Sequence, residues 1–413
     1  EITTRLVGSE MCIRDRKIVG EKMKKVLMLT AKETEIPFIL QAKMLGYYVI
    51  TTGNAPEQVG HKYGDQYIPF DYSDFEGITQ MAKDIEVDAV MSGCSDNCVL
   101  TAAYICDHLG LKGHDSFETT EIIHRKDKFK KFALENRVKT PLARWFDSKE
   151  TAYKYSDNGF PVIIKPSDMA GGKGVSVARN LDELIAGVDR AFEVSRDKKI
   201  VIEPYIEGSL HSLHVFIVDE KVRSYGTAND YSYKNKYMTS YGIFPADNWE
   251  TATEALIPEI NRIAKILHLV DGQMDIQYIM GADGPWIVEM MRRFPGNHTT
   301  SVIANSIGID WREWICRAEL GESVKGMPCA VHPQKYYGYY ALMADHNGCY
   351  DGMDIDPLIR KYVIQIDEWH SKGYEIEDYM YDKMALIQFY FDTESERQFY
   401  LPQICNLIKV KYS

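Results

Sequence analysis

Apolar residues recur along the first hundred positions with two alternating periods. Residues 24–30 (KKVLMLT) form a short apolar run of strand length, and 35–45 continue with helical spacing until Gly46. Residues 47–52 (YYVITT) predict a second strand, 74–85 a helix, 88–92 (DAVMS) a third strand, and 96–109 a further helix after Gly93. Strands alternating with helices at this spacing predict βαβ units around a parallel sheet. The absence of Gly-x-Gly-x2-Gly after the first strand disfavours dinucleotide binding.

The pattern then changes. Residues 118–136 predict one basic helix containing His124, Arg125, Lys126, Asp127 and Lys128. After Thr140-Pro141, strands are predicted at 142–146, 162–165, 175–178 and 200–204, interrupted by a helix over 181–196. Two hairpins follow, at 213–224 turning at Asp219-Glu220 and at 275–290 turning at Gly281-Ala282-Asp283-Gly284. Beyond about Pro328 the chain is rich in tyrosine and ends as a small mixed α/β unit. The organisation read from this is α/β, in units 23–112, 113–328 and 329–413. Residues 1–22 carry charges at Arg5, Glu10, Arg14, Asp15 and Arg16 that break any signal-peptide core. They are expected to be a non-native or disordered extension, with Met23, or else Met11, as the native start.

Composition narrows the function classes. With 45% apolar residues and 27 tyrosines, 413 residues suffice for two or three packed domains. A net charge of −12 argues against nucleic-acid or anionic-membrane partners. No apolar run approaches the ~18–20 residues of a membrane span. The eight cysteines form no Cys-x2-Cys pair; Cys94, Cys98 and Cys106 lack a second ligand pair. Buried free thiols in a reducing cytoplasm are the expectation.

Candidate chemistry begins where a strand ending at Lys165-Pro166 runs into Ser167-Asp168-Met169-Ala170-Gly171-Gly172-Lys173-Gly174-Val175. Three glycines in four positions let backbone amides approach an anion, and two lysines add charge. Taken alone, the segment is equally a mobile hairpin tip. The second hairpin adds Asp275 and Gln277 on one face, with Glu289 across the turn; such oxygen ligands suit Mg²⁺. Arg292 and Arg293 follow, able to neutralise a transferring phosphoryl group. Alone, Glu289 and Arg293 read rather as a surface ion pair at a strand end.

In this order the parts resemble the ATP-grasp superfamily, over about residues 24–321. The likeness is to its carboxylate–amine ligases, and also to biotin carboxylase and the carbamoyl-phosphate synthetase large subunit. It implies a Rossmann-like preATP-grasp domain, an ATP-grasp fold of two α+β subdomains (a lid at about 142–206) and a C-terminal α/β unit. Lys128 matches the first nucleotide lysine and Lys165 the second. Asp168, Gly171, Gly172, Lys173, Gly174 and Val175 match the loop closing over the β- and γ-phosphates. Glu203, Tyr205 and Ile206 match the adenine hinge. Gln277 and Glu289 match the Mg²⁺ ligands, with Mn²⁺ as an alternative ion, and Arg293 the arginine facing the reacting oxygens. Lys236, beside Lys234, sits where a phosphate-contacting base is common; a solvated basic turn is the alternative. Two departures stand out. Met291 replaces the usual metal-binding Asn, leaving Asn297 as a substitute. Leu210 replaces the ribose-binding acid, leaving Glu207 or His211. His298 could touch the acceptor or cap the next helix, and Asp96 and Asn97 could be substrate contacts or caps. The resemblance implies ATP-dependent activation of a carboxylate as an acyl phosphate and ligation to an amine. Carboxyphosphate chemistry and a catalytically weak regulatory protein are the alternatives. Implied partners are ATP, a small carboxylate, an amine and a second copy of the chain.

Overall fold

The computed structural model describes residues 22–155, 159–329 and 335–413, so the expected extension lies outside them except for Lys22. The N-terminal unit is a parallel four-stranded sheet in the order Gln66–Pro69, Tyr48–Gly53, Lys25–Met28, Ala89–Met91. Strand alternation sends Val26 and Met28 to a core shared with helix Ile36–Met44. Leu27 and Leu29 face the core of helices Phe75–Asp84 and Asp96–Leu109. The strand Gln66–Pro69 was not foreseen: it is a sheet edge of four residues, with no continuous apolar run to mark it.

The basic stretch is two helices, Phe117–His124 and Lys126–Glu135, broken at Arg125, whose backbone is extended. The cause is a cap supplied from another element. The Lys126 amide donates to the Ser167 carbonyl (3.2 Å), and the Asp127 amide to Ser167 Oγ (3.2 Å). Two of the second helix's unsatisfied donors are thereby paired with the first residue of the glycine-rich loop.

The lid is an antiparallel sheet ordered Arg144–Phe146, Ile200–Pro204, Val162–Pro166, Ser176–Ala178. Helix Leu181–Val194 covers one face, packing Leu184 and Val188 on Val162, Ile164 and Ile202. The predicted hairpins form, the first turning at Asp219 and Glu220 with φ of 50° and 60°. They build an eight-stranded antiparallel sheet: Gly284–Met291, Gly272–Gly281, Ser209–Val218, Lys221–Ser232, Thr239–Phe244, Tyr336–Met343, Lys383–Phe391, Val363–Glu368. The last three strands belong to the expected C-terminal unit, so the sheet runs straight through the proposed boundary near residue 328. A smaller sheet, Tyr374–Ile376, Gly348–Ile355 and Ile408–Tyr412, completes that unit.

One apolar cluster joins all three units. It contains Phe38, Phe216, Phe244, Phe294, Trp311, Tyr339 and Leu386, with Phe38 stacked on Phe294 (3.9 Å) and Phe216 edge-on to Trp311. Trp311 is fully buried. Trp311→Ala is expected to lower stability by about 3–5 kcal/mol, through lost burial and the cavity left behind. Denaturant unfolding of the two proteins tests this; a loss below ~1 kcal/mol would mean that the junction can collapse around the gap.

Candidate active site

The site is a cavity of about 380 Å³ between the lid and the large sheet. Its lid wall follows from alternation. In strand Val162–Pro166, Val162 and Ile164 enter the lid core, which turns Ile163 and Lys165 to the cavity. Met169, Ala170, Gly171, Gly172 and Val175 continue that wall. Gly172 has φ +73°, and a Cβ there would stand 2.7 Å from the Tyr237 carbonyl oxygen, so only glycine permits this approach. Tyr237 also holds the lid through its hydroxyl, which accepts from the Val177 amide (3.1 Å).

The opposite wall is the second hairpin. Gln277 pairs directly with Glu289, and both line the cavity. A bulge after Gln277 leaves Val288 unpaired, so Val288 and Glu289 are consecutive yet both reach it. Asp275, two residues earlier, is instead buried against His214 Nδ1 (2.6 Å). Glu203, Tyr205, Ile206 and Leu210 form the far end, with Lys236 and Tyr237 opposite.

Three charges lock the floor. Glu203 is buried with Oε2 3.2 Å from Lys165 Nζ and Oε1 3.4 Å from Lys130 Nζ. Burial would raise the Glu203 pKa, but the two ammonium groups outweigh it and hold the carboxyl below its ordinary range. Burial brings Lys130 down to about 8, against the opposing pull of Glu203.

Several sequence-predicted residues lie elsewhere. Lys128 pairs with Glu121 (2.6 Å) and does not line the cavity; Lys126 does, 3.3 Å from Glu289 and donating to the Met169 carbonyl (2.9 Å). The break at Arg125 sets this phase, placing Lys126 in the first turn beside the loop. Asp168 faces away, accepting from Ser195 Oγ and the Arg196 and Asp197 amides. Gly174 packs on Val194 and Pro166, and Lys173 reaches over the Tyr381 ring (5.5 Å). Glu207 is exposed and absent from the cavity lining. His211 is buried in the sheet, bonded to Ser209 Oγ (2.6 Å) and stacked on Tyr278. Asn297 accepts from Lys383 Nζ (2.7 Å), away from Gln277 and Glu289. Arg293 bonds Asp96 (2.7 Å) and Met291 Sδ (3.2 Å) and is absent from this cavity's lining; it lines a small separate cavity with Gln273 and Arg292. Asp96 and Asp275 keep it firmly charged despite burial. Lys234 is drawn off by Asp345. His298 and Asn97 are outside the lining as well.

Ile163, Val177, Ile279 and Val288 line the cavity and were missed. For Ile163 and Ile279 a signal existed: each lies two residues from a polar site residue, Lys165 or Gln277, on the same strand face. Lys126 and Val288 had none, since the helix break and the bulge depend on partners distant in sequence. The seven described cysteines are free, with Cys98 and Cys106 buried. Among the described residues no group of three His, Cys, Asp or Glu side chains could hold a metal ion. No described helix is long and apolar enough to cross a membrane. One carboxylate and one amide suit Mg²⁺ that takes its remaining ligands from phosphate and water.

Residues 125–237 match the family model of the phosphoribosylglycinamide synthetase ATP-grasp (A) domain. The carbamoyl phosphate synthase large chain of a Thermoanaerobacter species is 27% identical over 304 residues, 71% of this chain and 28% of that one. The chain thus spans under a third of the length of that relative. The phosphoribosylamine–glycine ligase of Listeria monocytogenes is 26% identical over 278 residues, 62% of this chain and 66% of that protein. Among solved structures, an L-amino acid ligase from Bacillus licheniformis superposes with TM-score 0.79 at 19% identity, covering 95% of this chain and all of that one. The biotin carboxylase domain dimer of Hydrogenobacter thermophilus 2-oxoglutarate carboxylase, in complex with MgADP and bicarbonate, superposes with TM-score 0.75 at 19% identity, covering 95% and 91%.

The Glu203 arrangement makes a direct prediction. Glu203→Ala leaves two buried ammonium groups without their counter-charge and should cost about 3–5 kcal/mol of stability. Lys128→Ala, which removes a half-exposed pair, should cost no more than ~1 kcal/mol. Equal losses in denaturant titrations of the two variants would contradict the assignment of the floor. In sequence over residues 125–237 and in fold over nearly its whole length, the chain resembles the ATP-grasp ligases, and it carries the ATP-grasp fold.

Proposed function

We propose that the protein is an ATP-dependent ligase that activates a carboxylate as an acyl phosphate and joins it to an amine, releasing ADP and phosphate. The observation that carries this reading is the single cavity in which a glycine loop, Lys165, the Glu203–Ile206 edge and the Gln277/Glu289 pair meet. Glu203 and the backbone of Tyr205 and Ile206 would take the adenine edge. Lys126 and Lys165 would hold the phosphates beneath Gly171 and Gly172, with Lys126 in the role first expected of Lys128. Gln277 and Glu289 would hold Mg²⁺, which when bound screens the triphosphate charge. Met291 offers a thioether that suits no hard cation, and Asn297 is committed to Lys383, so Gln277 and Glu289 alone are assigned to the metal.

In the reaction a carboxylate oxygen attacks the γ-phosphorus and the bond to the β-phosphate bridging oxygen breaks, giving acyl phosphate and ADP. The amine then displaces phosphate and its proton passes to water or phosphate. The chain's part is to position the reactants and exclude water, the task of a lid that Tyr237 already clasps. Arg293, fixed by Asp96, would steady the transferred group, and Lys236, which lines the cavity, would meet the phosphates. A second reading, carboxyphosphate formation from bicarbonate, is favoured by the match to the carbamoyl phosphate synthase large chain. We place the protein in the cytoplasm, and take a homodimer as its assembly by analogy with the biotin carboxylase domain dimer.

Incubation with Mg-ATP and panels of acids and amines should release ADP only when a matching acid and amine are both present. Release driven by bicarbonate without an amine would favour the second reading, and no release with any pair would exclude the ligase. Glu289→Ala and Lys165→Ala are each expected to reduce turnover by about 10²-fold or more. For Mg-ADP binding, Lys126→Ala should weaken affinity by about tenfold or more and Lys128→Ala by less than about twofold. The reverse order in calorimetry would return the role to Lys128.

A further inference from the structure

Lys383 is a partly buried cation that pairs with no acid among the described residues. A bulge between Leu342 and Met343 in the facing strand register leaves Met384 unpaired, so Lys383 pairs with Met343 and its Nζ reaches Asn297 Oδ1 (2.7 Å). Among the described residues no carboxylate pairs with it, and burial alone brings it down to about 8. A lone amide oxygen does not compensate a desolvated ammonium, which ordinarily recruits an anion.

The neighbouring groups also have unspent hydrogen-bonding capacity. His298 turns Nδ1 to Asp367 (3.0 Å), and its side chain is only 10% exposed. Its Nε2 is buried without a hydrogen-bond partner among the described residues. Trp369 lies 6.3 Å ring to ring from His298, and its backbone amide bonds the Met384 carbonyl, beside Lys383. Its Nε1–H is also buried without a described partner. Asp367 fixes Nδ1 of His298 as the donor nitrogen, leaving Nε2 an acceptor for an N–H or O–H of a ligand. Tyr381, two residues before Lys383, carries Lys173 of the glycine loop over its ring, so this segment adjoins the lid.

We propose that Lys383 and the Trp369 indole N–H, beside Asn297 and His298, form a subsite for an anionic group, a carboxylate or a phosphate, borne by the second substrate, with His298 Nε2 accepting from an N–H or O–H of the same molecule. That the anion belongs to a substrate rests on the ligase reading; the binding of an anion does not. Its chemistry selects acceptors with a second negative charge over neutral amines.

The test is calorimetric titration of the full chain with malonate and with inorganic phosphate, alongside Mg-ADP. Saturable binding of one anion is expected, and the tighter of the two identifies the group. Lys383→Met should weaken it by roughly 10- to 100-fold, the worth of one charge-assisted hydrogen bond, and Lys383→Arg should largely restore it. Mg-ADP affinity should be unchanged in both variants. Binding of neither anion, or equal binding by wild type and Lys383→Met, would overturn the subsite. Anion binding without Mg-ADP binding would sink the nucleotide reading and leave the subsite standing. Should Lys383→Met not fold, acetylation of Lys383 in the wild-type protein, followed by mass spectrometry, decides: saturating anion must protect it, and absence of protection overturns the subsite.

Discussion

A carboxylate removed from water between two ammonium groups organises the centre of this molecule. Glu203 belongs to the lid's second strand, Lys165 to its neighbour, and Lys130 to the helix that begins under the glycine loop. Each charge is costly to bury alone, and the three together are tolerable only in one arrangement. The floor of the cavity, the edge offered by residues 203–206 and the root of the loop are therefore specified together. Apolar packing could hold the same elements with equal strength, but would leave their relative rotation less sharply defined.

The order of the parts was legible in the chain because each rests on local patterning. Alternating apolar residues around Lys165, the paired strands carrying Gln277 and Glu289, and the glycines between them are statements about neighbours in sequence. What was not legible depends on distant partners. Ser167 ends one helix and begins another by occupying the Lys126 and Asp127 amides, and that phase shift exchanges Lys128 for Lys126 in the cavity. A bulge opposite Gln277 brings Val288 to the surface of the site. Asp168 and Asn297 have the right composition for ligands, yet their hydrogen bonds are taken by Ser195 and Lys383. Gln66–Pro69 escaped notice because an edge strand has little to bury.

The overall acidity of the chain and the basic character of its site are compatible because the cations are local and held apart. Lys126, Lys165 and Lys236 surround the cavity, while Lys234, Lys128 and Arg293 are neutralised by Asp345, Glu121 and Asp96. Within the cavity Lys126 and Lys165 are themselves opposed by Glu289 and Glu203, and the low-dielectric walls of Ile163, Ile279 and Val288 strengthen each of those interactions.

The strand Tyr336–Met343 is hydrogen-bonded to Thr239–Phe244 along four residue pairs, within the same sheet that bears Gln277 and Glu289. Removing the C-terminal segment would therefore not release a self-sufficient nucleotide-binding domain. It would strip the strand Thr239–Phe244 of its neighbour and present open amides and carbonyls beside Tyr241 and Phe244, a surface on which β-aggregates can grow. The final eighty residues act as a cover for a sheet edge, whatever else they contribute to chemistry. Proteolytic nicking between the two strands would leave the pieces associated rather than set a domain free.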